Sequence, residues 1–104
     1  MARVRRPKPA DLEEGAAVGK LLADALRVKI LCVVAFDGPV SVGAVCKAVN
    51  APQPSASHHL GILRMAKLVE GKRAGKNVIY SVTKGLAQHP GVQALSAMLA
   101  KLSG

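Results

Sequence analysis

The apolar residues of this chain change their spacing at Lys67, and that change limits the fold more than any other feature. Before Lys67 they recur three and four residues apart, the period of a helix with one buried face. After it, Leu68-Val69-Glu70-Gly71-Lys72-Arg73 and Asn77-Val78-Ile79-Tyr80-Ser81-Val82 read as two strands, the second rich in β-branched residues. Ala74-Gly75-Lys76 supplies the turn, so the pair is a hairpin with a basic tip. The fold class that follows is mainly α with a small β-hairpin. At 104 residues the chain fits one domain, because two cores would each be too small to hold without staples.

About five helices are expected. Asp11-Leu12-Glu13-Glu14 has the form of a capping box, opening a first helix that runs to about Asp24 and leaving residues 1–10 as a basic, flexible tail. A second helix starts at Ala25, with Leu26, Ile30, Val33 and Val34 on one face. It ends at Asp37-Gly38-Pro39, by a glycine free to turn left-handed and a proline that cannot continue. Ser41 offers a cap for a short helix over 42–49, whose buried stripe is Val42, Val45, Cys46 and Val49. Asn50 can close it in left-handed geometry. The fourth helix runs from Gln53 to Ala66, with Ala56, His59, Leu60 and Leu63 inside and Gln53, Ser57, Gly61 and Arg64 in an outer row beside Ser55 and His58. The last helix carries a stripe of Val92, Leu95, Met98, Leu99 and Leu102.

Charge narrows the function. Fifteen Lys and Arg stand against six Asp and Glu, a formal net charge of +9. Residues 1–10 hold four bases and no acid, residues 11–37 five acids and three bases, and residues 38–104 eight bases and one acid. Such basic surface favours a polyanion, since neutralised phosphates release condensed counterions. With one Phe, one Tyr and no Trp, there is no platform on which single-stranded bases could stack. Duplex DNA is the partner this composition favours. No apolar stretch approaches the roughly 20 residues of a membrane span, and the N-terminus has no apolar run behind its charges. Two cysteines are too few for a disulfide scaffold or a four-thiolate zinc site. A small cytoplasmic domain with no cofactor is expected. No carboxylate pair, phosphate loop or activated nucleophile suggests an enzyme.

Two short helices joined by a tight turn, then a basic hairpin, make a winged helix-turn-helix. A major groove about 12 Å wide admits one helix bearing small and hydrogen-bonding side chains. The expected DNA contacts are Gln53, Ser55, Ser57, His58 and Arg64 on the fourth helix, with Ser41 at the cap of the third. Lys72, Arg73 and Lys76 of the wing are placed to straddle the backbone. Arg3, Arg5, Arg6 and Lys8 fit a solubilising tail as well as a groove-seeking arm. The alternative to DNA binding is a protein-interaction module that docks an acidic partner.

Leu22-Ala23-Asp24-Ala25-Leu26-Arg27-Val28-Lys29-Ile30-Leu31, then Ser55-Ala56-Ser57-His58-His59-Leu60-Gly61-Ile62-Leu63-Arg64, then Leu68-Val69 and Tyr80 resemble the ArsR/SmtB family of repressors over roughly residues 12–82. The resemblance implies a homodimer built on the first and last helices. It would bind palindromic operator DNA and be released by an inducer, usually a metal ion or a thiol oxidant. Metal-sensing members carry paired cysteines where this chain has Ser41 and Gly43, and others carry Asp and His ligands along the last helix, where only His89 is found. No classical metal site is therefore expected, and His89 reads as a neighbour of a helix cap. Ile30-Leu31-Cys32 with Ser41-Val42-Gly43-Ala44-Val45-Cys46 is similar to the oxidant-responsive branch, in which the second-helix cysteine pairs with one in the last helix. No cysteine follows Cys46, so Cys32 and Cys46 are left as the candidate redox residues. Family members also place a Ser or Thr cap where Pro52 stands.

Each sharp reading has a plain one beside it. Cysteines on apolar stripes usually pack as small hydrophobes, the expectation for both Cys32 and Cys46. His59 is expected as a core histidine with a satisfied ring, and His58 as an outward residue. A chain this short has little interior for the terminal stripe, so dimerisation is the expected use of it.

Overall fold

The computed structural model describes residues 6–103, so Arg3 and Arg5 of the tail lie outside the described residues. The chain divides into two units, residues 22–84 and the two terminal segments. In the first, helix α2 (Ala25–Asp37) opens on Asp24, whose Oδ1 accepts the N–H groups of Leu26 at 2.9 Å and Arg27 at 3.2 Å. The expected first helix ended at Asp24; that residue instead caps the second. At the other end Gly38 is extended, not left-handed, with φ −66° and ψ 156°. A glycine is needed there for space, because a Cβ would collide with the Val34 carbonyl oxygen.

Helix α3 (Val42–Val49) behaves as its sequence predicts. The Ser41 hydroxyl accepts the Ala44 N–H at 3.2 Å, and Asn50 closes the helix with φ 53° and ψ 52°. Helix α4 (Gln53–Met65) starts at Pro52 with no side-chain cap, as the missing acceptor requires. It ends within one residue of the expected Ala66, by a cap that the sequence did not announce. Lys67 takes φ 63°, its N–H reaches the Arg64 carbonyl at 3.0 Å, and Leu68 N–H reaches Leu63 at 3.0 Å. This pair of bonds is a Schellman motif with lysine in the position glycine usually fills.

Strand β1 (Val40–Ser41), too short to show a period in sequence, pairs with β3 (Asn77–Val82) at Val40↔Tyr80 and Ser41↔Ile79. Strand β2 (Val69–Ala74) lies on the other side of β3, antiparallel, in register from Val69↔Val82 to Ala74↔Asn77. The turn is two residues, Gly75-Lys76, one shorter than expected. Gly75 has φ 63°, the backbone a glycine-first hairpin turn needs. The core of this unit is Ile30, Val34, Val45, Ala56, Leu60, Leu63, Leu68 and Val69, each at most 1% exposed. Of the stripe expected on α3, only Val45 is fully buried; Val42, Cys46 and Val49 are half-buried.

The second unit pairs α1 (Pro9–Leu21) with α5 (Pro90–Ser103), after a short 3-10 turn at Leu86–Gln88. Helix α1 starts two residues before the expected cap. Proline suits a first helical position, and the Leu12 N–H reaches the Lys8 carbonyl at 3.0 Å. The helix therefore takes in Pro9 and Ala10, and Asp11 lies inside the first turn. His89 is itself the cap of α5, its Nδ1 accepting the Gly91 N–H at 3.1 Å. Gly15 and Val18 of α1 and Gly91 and Ala94 of α5 are the buried residues. A Cβ on Gly91 would sit 2.7 Å from the Glu14 carbonyl oxygen and from Val18 Cγ2, so the backbones approach closely because a side chain is missing. The α5 stripe, for which dimerisation is the expected use, is not the face buried against α1. Met98, Leu99 and Leu102 are exposed and Val92 and Leu95 half-buried, since the helices meet along their small residues.

Candidate nucleic-acid interface

The exposed side of α4 follows from which residues its core claims. At about 100° per residue, Ala56, His59, Leu60 and Leu63 occupy one arc, and all four are buried. Gln53, Ser57 and Arg64 fall outside it and are exposed, and Gly61 between them is half-buried. His58 is exposed at the far flank of the same surface. Ser55 is not brought into the row: it lies roughly 160° around the helix from the row's middle, at the edge of the buried arc, and is half-buried. Met65, 84% exposed, does belong to the outward surface. Sequence reasoning missed it because a methionine closing an amphipathic helix is ordinarily counted as core. Ser41 is half-buried, and its hydroxyl oxygen is engaged by the Ala44 N–H.

The wing is built by the β2–β3 register. Lys72 lies opposite Ile79 and Arg73 opposite Val78, beside the Gly75-Lys76 turn. Adjacent strand residues point to opposite faces, so Lys72 and Arg73 project from the two sides of the hairpin and Lys76 from its end. All three are exposed. Lys47 on α3 and Lys67 after α4 are further exposed cations of the same unit, which the sequence reading passed over because nothing local marked their direction. Residues 22–84 hold nine bases against three acids.

Behind α4, His59 is 9% exposed and its Nδ1 accepts a hydrogen bond from Arg27 Nε at 3.2 Å. The His58 and His59 rings meet edge to face with centroids 5.5 Å apart. His59 is thus a core histidine with a partner. Hydrogen bonding from the Arg27 N–H is the main reason the Asp24 carboxyl is held below the usual carboxylate range. Desolvation opposes it, while the nearby His59 ring, the Leu26 N–H and the Arg27 charge add to it.

Both cysteines are free thiols. Cys46 is half-buried, but Cys32 is exposed, so the packed position expected for it is wrong. On α2 the core takes Ile30 and Val34, leaving Cys32 on the other side with Val28 and Phe36. Among the described residues, no three His, Cys, Asp or Glu side chains come together in a way that could hold a metal ion, and no helix is long and apolar enough to cross a membrane.

The family model for the arsR family of bacterial regulatory proteins matches residues 24–70, from the α2 cap to the second residue of β2. The transcriptional repressor SdpR of Bacillus subtilis is 34% identical over 71 residues, 68% of this chain and 78% of SdpR. The chain belongs to the arsR family. It is a winged helix-turn-helix regulator of transcription. This ArsR-family chain is also 44% identical over 63 residues to the regulator KmtR of Mycobacterium tuberculosis, where the match spans about half of the KmtR chain, 48%. Its fold is similar to a homodimeric winged helix-turn-helix DNA-binding domain (fragment 1–100) from Mycobacterium bovis. That match has TM-score 0.67 and 32% identity, covering 97% of this chain and 91% of that one. The family match falls wholly within residues 22–84, the unit that carries the exposed face of α4 and the wing.

Proposed function

We propose that this chain is a homodimeric, non-catalytic repressor that binds duplex operator DNA in the cytoplasm. Helix α4 enters the major groove with Gln53, Ser57, His58, Arg64 and Met65 toward the bases. Gln suits adenine, Arg64 suits a guanine or a phosphate, and the methionine suits a thymine methyl. Ser55, at the edge of the buried arc of α4, and Ser41, the cap of α3, are assigned to the backbone. The wing holds phosphates through Lys72, Arg73 and Lys76. The carrying observation is the exposed polar face of α4 in one unit with a hairpin that projects cations from both sides.

Helices α1 and α5 form the dimer contact. Leu12, Met98, Leu99 and Leu102 leave apolar surface there for a second copy to cover, and the similar domain from Mycobacterium bovis is homodimeric. Release by a reagent that attacks thiols belongs to the same reading, with the exposed Cys32 as first target and Cys46 as second.

Selection from random duplexes tests the reading, followed by titration of the recovered sequence at several salt concentrations. One enriched motif is expected, with Arg73→Ala plus Lys76→Ala weakening specific and random DNA alike and reducing the salt slope by about 2. Failure to enrich any motif would favour docking of an acidic protein instead. A panel of metals, peroxide and persulfide, run against Cys32→Ser and Cys46→Ser, tests the inducer. Equal release of parent and variants would return both thiols to packing.

A further inference from the structure

We propose that Arg27 and His59 form a proton-sensitive clasp that sets α4 against α2, so that operator binding weakens when the His59 ring takes up a second proton. This rests on the reading of α4 as the helix that enters DNA. The guanidinium of Arg27 can only donate, and it donates through Nε to His59 Nδ1 at 3.2 Å. The ring is therefore neutral, with its own proton on Nε2. A proton on Nδ1 turns an acceptor into a donor, so the bond is lost and two cations are left facing each other. Only 9% of His59 is exposed, and it lies between Ala56, Leu60 and Leu63 on the buried arc of α4, so little water reaches the ring to replace the lost partner.

The neighbouring charges divide by element. On α2, Arg27 and the cap Asp24 act on the ring with opposite signs, and Lys29 is exposed. On α3, Cys46 is half-buried and Lys47 exposed. On β2, Glu70, Lys72 and Arg73 are all exposed. His58, on α4 itself, meets His59 by its ring and faces outward. Its protonation adds positive charge to the DNA-facing side and raises affinity, which opposes the clasp and has to be separated from it.

The test compares the parent with His59→Gln, Arg27→Gln and His58→Gln from about pH 8 to about pH 5.5, the range in which histidines change charge. Glutamine at 59 keeps an acceptor without a titrating ring, and glutamine at 27 can turn from donor to acceptor. Affinity for the selected operator is read at fixed salt, and hydrogen exchange of the α4 amides is read on the free protein. The parent is expected to lose about tenfold in affinity relative to His59→Gln and Arg27→Gln as pH falls, the size of one lost charge-assisted bond, and His58→Gln, without the opposing gain, to lose more. Protection of α4 should fall in step in the parent and His58→Gln. Identical pH profiles for the parent and His59→Gln in both measurements would overturn the clasp. A parent that binds no duplex at about pH 8 would overturn the DNA reading instead, and the exchange data would then decide the clasp alone.

Discussion

The two units solve the problem of burial in opposite ways. Residues 22–84 bury large side chains from three helices and a strand to 1% exposure or less, and their helix starts and ends are closed by Asp24, Ser41, Asn50 and Lys67. The α1–α5 pair buries Gly15, Val18, Gly91 and Ala94 and leaves Leu12, Met98, Leu99 and Leu102 in solvent. A core of large residues supplies its own stability, since burial free energy scales with apolar area. A seam of small residues supplies geometry and little area. The first unit encloses a core of large residues, and the second leaves its large apolar residues exposed.

Truncation should break this contrast most sharply. Leu63→Ala, in the first core, is expected to lower unfolding free energy by about 2–5 kcal/mol in chemical denaturation. Leu102→Ala should stay within about 0.5 kcal/mol in the dissociated subunit yet weaken self-association in sedimentation. If Leu102→Ala cost as much as Leu63→Ala without changing assembly, the distinction between the units would fail. Overfilling the seam comes next. Gly91→Val places atoms against the Glu14 carbonyl and should cost about 1–3 kcal/mol, visible as lost helicity and dimer at lower temperature.

A smaller change of opposite sign is expected at the end of α4. Lys67→Gly removes a left-handed lysine and should stabilise by up to about 1 kcal/mol, raising the melting temperature. The mildest effect concerns acid. Asp24 has its carboxyl pKa lowered in the folded chain, so its contribution is complete above the ordinary carboxylate value of about 3.9 and is lost as pH falls through the lowered one. Asp24→Asn keeps a cap that does not titrate. Its acid unfolding should therefore be less steep over that interval than the parent's.

Most of residues 22–84 was legible because its signals are local. Ser41 as a cap, Asn50 as a left-handed stop, the buried arc of α4 and the hairpin partners follow from short spacings in the chain. The errors lie where a neighbour distant in sequence decided. Strand β1 exists only because β3 pairs with it. Cys32 is exposed because the α2 core took Ile30 and Val34. The outward α5 stripe is not among them: dimerisation is its expected use, and Gly15 and Gly91 leave it exposed by letting two backbones meet where leucines would have held them apart. Ser55 and Met65 exchanged standing on α4 for a similar reason: a helical row drawn from sequence has a period but no reference direction.

Periodicity, turn chemistry and net charge determined, without coordinates, that this chain is a helical domain with a basic wing suited to a polyanion. Those properties depend on residues within a turn or two of each other. Which side of each helix faces inward, which thiol meets solvent, and that a buried histidine of α4 accepts a hydrogen bond from an arginine 32 positions earlier were decided only by tertiary structure. Packing selects among faces that a linear pattern leaves equivalent.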